Sequence, residues 1–91
     1  MLKISVSKES DVKKIFKVIV TNETGRQHSY RVLVSPKTID RFDLEDEELE
    51  DVVEKAFLFL LKRESPEDIL PNFELMTIAT YFPEFTPGID M

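Results

Sequence analysis

The sequence predicts an α+β domain, a three-stranded antiparallel sheet packed by one long helix, with short C-terminal helices. Three observations carry that expectation. The N-terminal third holds three segments in which apolar and polar residues alternate with period two. A single long run in the second half carries an apolar stripe at helical spacing. Two Ser-Pro pairs, at 35–36 and 65–66, supply the cap and first helical residue of short helical turns. With 91 residues, no internal repeat and no linker composition, the chain 1–91 reads as one compact domain.

Leu2 to Ser7 alternates as a half-buried strand should. Residues 8–13 are a polar connection. Lys14 to Thr21 is rich in β-branched residues, with Phe16, Val18 and Val20 on one face and Ile15, Lys17 and Ile19 on the other. His28 to Val34 repeats the pattern with Tyr30, Val32 and Val34 on one face. Gly25, in the polar loop 22–27, is the residue available there for a positive φ. The opposite face, carrying Lys17, Ser29 and Arg31, is expected to be wetted.

Ser35-Pro36 starts a short helix to Phe42. The stretch 43–51 holds seven acidic groups in nine residues and leads into the main helix, expected over Glu47–Arg63. Acidic side chains at its start and Lys62-Arg63 at its end suit the helix macrodipole, and Asp51 and Lys55 are spaced for an ion pair. With Leu49 at the origin of the helical wheel, Val52, Val53, Ala56, Phe57, Phe59 and Leu60 fall within about 80° of it, the face expected on the sheet. Leu61 and Leu58 lie outside that stripe, so the last two turns are apolar almost all round. Either the C-terminal segment of the same chain or another subunit must cover them. Ser65-Pro66-Glu67-Asp68 begins a turn completed by Ile69 and Leu70, and Pro71 ends it. Asn72 is the expected cap of a last helix, Phe73 to Tyr81, stopped by Pro83, and Phe85 is expected to tuck in from an irregular tail, 84–91.

The run Ala56 to Glu64, followed by Ile69-Leu70, Phe73, Leu75, Ile78 and Tyr81-Phe82-Pro83-Glu84-Phe85, resembles a set of small uncharacterised prokaryotic proteins of similar length. The resemblance covers about a third of the chain. The acidic segment before the main helix departs from the Ser-Pro start of that set. It supports the element boundaries and implies no catalytic or ligand-binding residues.

Charge is unevenly divided. The net charge is −6, yet residues 1–41 carry nine basic against four acidic groups, and residues 42–91 carry three against fourteen. The chain has no cysteine, which excludes disulfides, thiolate zinc and a cysteine nucleophile. Residues 1–10 lack a signal-like apolar run and no stretch is apolar enough for a membrane span, so the expected setting is cytoplasmic with no membrane contact.

Catalysis needs placed, perturbed groups. His28 is the one histidine, and Ser29 beside it points to the other face of its strand. No nucleophile elbow, phosphate loop or dinucleotide fingerprint occurs, and Asp43, Glu45 and Glu47 lack the glycine and spaced glutamate of a calcium loop. A non-enzymatic chain without cofactor or metal is expected. A nucleic-acid surface would use Lys13, Lys14, Lys17, Arg26 and Arg31, along with Lys3 and Lys8, with Tyr30 and Phe16 as stacking platforms. Both rings share parity with core positions, and the acidic half repels phosphate, so this is the alternative reading. The leading reading is a protein-interaction or assembly module, a homodimer or the acidic partner of a basic protein. Its expected contact surface is Leu58, Leu61, Tyr81, Phe82 and Phe85, or an open sheet edge.

Overall fold

Period-two alternation puts Phe16, Val18, Val20, Tyr30, Val32 and Val34 on one side of the backbone, and all six are buried. The computed structural model describes residues 2–85. Strands β1 (Lys3–Ser10), β2 (Ile15–Thr21) and β3 (Gln27–Leu33) form an antiparallel meander. Its register sets Val6 against Val18 and Val18 against Tyr30. The β2–β3 turn closes on Asn22, whose Oδ1 accepts from Thr24 N, Thr24 Oγ1 and Arg26 N, and Gly25 takes φ +86° as its position requires. Strand β1 runs further than the alternation suggested, through residues 8–10, and is bulged between Lys8 and Ser10.

The sheet has a fourth strand. Asn72–Glu74 (β4) pairs parallel to β3, with Val32 opposite Phe73, so the sheet is mixed, in the order β1-β2-β3-β4. This corrects the all-antiparallel, three-stranded expectation. It also moves the last helix, α3, to Leu75–Tyr81, with Glu74 as its cap in place of Asn72. A three-residue strand is too short for alternation to reveal. Its parallel pairing arises only because the helical segment between β3 and β4 returns the chain to the same end of the sheet.

Ser35 caps α1 (Pro36–Arg41), accepting from Thr38 N, with Pro36 in the first turn. A 3₁₀ turn, Asp46–Glu48, is closed by a reciprocal cap in which Glu48 Oε1 accepts from Glu45 N, and it runs into α2 (Leu49–Leu61). The buried side of α2 is Leu49, Val52, Val53, Ala56, Phe57 and Leu60. Phe59, expected on the same side, packs instead against Phe82 and Phe85, with ring centroids 5.7 and 5.0 Å away. Phe57 sits between Tyr30 and Phe73, at 5.0 and 5.9 Å. Asp51 and Lys55 form the expected pair, at 3.1 Å. Pro66–Asp68 is a single 3₁₀ turn without a side-chain cap from Ser65, and Ile69 and Leu70 lie outside it.

Glu74 ties the end of the sheet to α1. Its Oε1 accepts from Ser35 Oγ at 2.8 Å and from the buried Thr38 hydroxyl, and its Oε2 accepts from Met76 N at 2.7 Å. Phe85 tucks in and is 2% exposed. Residues 86–91 of the expected tail lie outside the described residues.

Two outcomes follow for stability. Phe57→Ala should lose about 3–5 kcal/mol in urea denaturation, whereas Leu58→Glu, one residue along and half exposed, should unfold within about 0.5 kcal/mol of wild type. Glu74→Ala should cost about 1–3 kcal/mol, because three donors lose one acceptor group. Its melting should be restored by no change of salt, since the bonds are short-range and partly buried.

Candidate functional site

The C-terminal turn of α2, the 66–70 segment and α3 do not close on one another. Between them lies a groove of about 500 Å³ lined by Leu60, Ile69, Leu70, Phe73, Ile78 and Phe82, with Thr77 and Tyr81 beside them. Glu64 and Asp68 stand among the lining groups and give the groove an acidic rim. Leu70 and Tyr81, 53% and 70% exposed, present large apolar surface at the opening.

Each wall has an identifiable support. Tyr30, buried in the sheet, donates from its hydroxyl to Pro66 O at 2.6 Å and so positions the 66–70 segment. Ile69 is buried, which turns Leu70 outward. On the other wall, Arg63 stacks its guanidinium 3.7 Å from the centre of the Phe59 ring, donates to Phe59 O at 3.1 Å and reaches Glu84 at 3.6 Å. These contacts hold Phe82 and the chain after it against α2.

Of the five apolar residues expected at a contact surface, Tyr81 and Phe82 line this groove. Phe85 is in the core, Leu61 is half-buried, and Leu58 stays 49% exposed on the outer side of α2. The C-terminal segment thus covers Phe59, and not Leu58. Sequence reading missed Leu60, Glu64, Asp68, Ile69, Leu70, Phe73, Thr77 and Ile78 as neighbours of one space. The short spacing of Pro66 and Pro71 around Ile69-Leu70 was the signal that this segment crosses between elements as extended chain.

The five basic residues do not all converge on one place. Lys13 and Lys14 lie in the β1–β2 turn and Arg26 in the β2–β3 turn, at opposite ends of β2, which spans about 20 Å. Lys17 and Arg31 face each other across β2 and β3, and Arg31 pairs with Glu9 at 2.9 Å. Lys14 reaches Asp46 at 2.5 Å and Asp11 at 3.5 Å, and Lys8 reaches Asp11 at 2.9 Å. Tyr30 and Phe16 are core residues and offer no stacking face.

These pairs set the local electrostatics. The bond from Lys8, then the charge of Lys14, holds the Asp11 carboxyl below the usual range. The bond to Asp46 raises the Lys14 ammonium, and the bond to Asp11 raises that of Lys8. In the acidic run Glu45 is raised, first by sharing a hydrogen bond with Glu47 and then by the charges of Glu47 and Glu48. No group of three His, Asp or Glu among the described residues is placed to hold a metal ion. His28 lies beside Glu67, its Nε2 buried 3.7 Å from the carboxylate without a hydrogen bond.

The long outer edge of β1 is blunted. It carries Lys3, Lys8 turned toward the core side, and the bulge at residue 9, each of which opposes pairing with another strand. Among the described residues no helix is long and apolar enough to cross a membrane. No family model, no curated protein and no solved structure matches this chain.

Burial, then the charge of Glu67, raises the Tyr30 phenol above its ordinary value of 10.0. The unfolded chain therefore releases this proton first, and between the two values it binds fewer protons than the folded chain. Stability is complete below the ordinary value and should fall as pH rises through this window. In a Tyr81→Phe background, the absorbance change at 295 nm reports Tyr30 alone and should come late, together with loss of the Pro66 contact.

Proposed function

We propose that this chain is a non-enzymatic protein-interaction module. Its groove receives from a partner protein an exposed aliphatic or aromatic side chain flanked by Lys or Arg. One observation carries the reading: an open apolar groove whose rim groups, Glu64 and Asp68, are both carboxylates.

The two features divide the work. Covering one aliphatic side chain with the exposed surfaces of Leu70 and Tyr81 and the half-buried Phe73 and Phe82 contributes at most about 1.5–3 kcal/mol, the value for complete burial. Carboxylates at the rim add little to affinity, but they select a cation over an anion beside that side chain and speed encounter at low salt. The surplus of eleven negative charges over residues 42–91 acts in the same direction at longer range. A groove this size gives weak binding by itself, in the class of transient contacts. The chain fits the role of an acidic partner to a basic surface.

The experiment is selection of a phage-displayed library of random peptides on immobilised protein, with counter-selection on Leu70→Ser/Tyr81→Ala. Both substituted residues are exposed, so the variant keeps the fold. Enriched peptides should pair an apolar residue with Lys or Arg, and Asp68→Lys should abolish the preference for the cation. Enrichment indifferent to both variants, or none above a blank surface, would overturn the reading.

A further inference from the structure

Among the described residues the most exposed large apolar side chain is Val12, at 92%. It stands at the tip of the β1–β2 turn with the exposed Lys13 beside it. An aliphatic group flanked by a cation is the chemistry for which the groove is suited. We infer that the groove's partner is a second copy of this chain, docked through its Val12-Lys13 turn. The inference rests on the reading of the groove given above and names its occupant.

Three features of the turn favour that role. Its own carboxylate is drawn away from the tip: Asp11 Oδ1 lies 2.9 Å from Lys8 Nζ and 3.5 Å from Lys14 Nζ. The tip therefore presents a valine and a cation to a partner. The turn is also held in shape. Lys13 N donates to Ser10 Oγ at 3.2 Å, and Lys14 sits in the left-handed region at φ 53° with its ammonium 2.5 Å from Asp46. A segment ordered beforehand loses less entropy on docking. Apolar surface continues from the tip along Ile15, Leu33, Pro36 and Ile39, which adjoin Val12 around a shallow second hollow. Contact can thus extend beyond one side chain.

The charge layout gives the pairing its direction. The turn belongs to the basic part of the chain and the groove to the acidic part. The two places share no lining residue. A turn on one copy meets a groove on another, so each copy has one donor and one acceptor. The blunted β1 edge opposes self-association by strand pairing there.

Complementary lesions test the inference. Sedimentation velocity of the wild type from micromolar to millimolar concentration at low salt should show mass rising above that of the monomer, and added salt should reverse the rise. Val12→Glu/Lys13→Glu removes the donor and Leu70→Glu/Tyr81→Ala the acceptor, and each alone should sediment as a monomer with a wild-type circular dichroism spectrum. Mixed in equal amounts they should form a dimer and nothing larger, since one intact turn meets one intact groove. If the acceptor double variant fails to fold, Asp68→Lys takes its place. A wild type that stays monomeric to millimolar concentration, or lesions that fail to complement, would overturn self-docking. Peptides selected by a monomeric wild type would then leave the groove reading standing, whereas the absence of both peptides and association would remove the two together.

Discussion

The ring of Phe57 is the constraint on which the rest of the structure depends. It is fully buried near the middle of α2, with Tyr30 of β3 on one side and Phe73 of β4 on the other. An aromatic ring buries about 150–250 Å², and both neighbours contribute to that burial here. One side chain thus links the N-terminal meander, the central helix and the strand added after the crossover. The parallel pairing of β4, only three residues long, has little hydrogen bonding of its own and relies on Phe73 reaching this ring.

Around that apolar centre, a small number of polar contacts decide where the C-terminal elements stop. Glu74 fastens β4 and the start of α3 to Ser35 and Thr38. Tyr30 holds the turn at Pro66, and Arg63 holds the chain beyond α3 through the Phe59 ring and Glu84. Each contact pins one wall at a separate point, and none draws the walls together. The groove is the space left when three short elements are fixed independently to a common sheet and helix.

Charge is arranged by the same economy of contacts. Near the start of α2, acidic groups meet basic ones within the molecule, as Asp46 does with Lys14. Elsewhere in the acidic run the Glu45 carboxyl holds its proton more tightly than usual, first through the hydrogen bond it shares with Glu47 and then through the neighbouring charges. At the far end of α2, Glu64 and Asp68 stand among the apolar groups that line the groove.

Much of this was legible without a structure, for a definable reason. Alternation in Phe16, Val18, Val20, Tyr30, Val32 and Val34, and the stripe from Leu49 to Leu60, are periodic over enough residues to identify both element and buried face. The cap at Ser35 and the glycine turn at 25 are local chemistry within a few residues. The fourth strand was not legible, because three residues carry no period and their pairing partner lies some forty positions earlier. Phe59 turned to Phe82 and Phe85 because the wheel gives direction about one axis and says nothing of what waits there. Of the groove, sequence singled out Tyr81 and Phe82 as apolar residues in search of a partner. Which carboxylates rim it, and that Leu58 stays outside it, depended on contacts among segments distant in the chain. The sequence by itself determined which residues must leave water, since that is a property of each side chain and its period. Only the tertiary structure decided which of them meet, because meeting depends on where independently anchored elements come to rest.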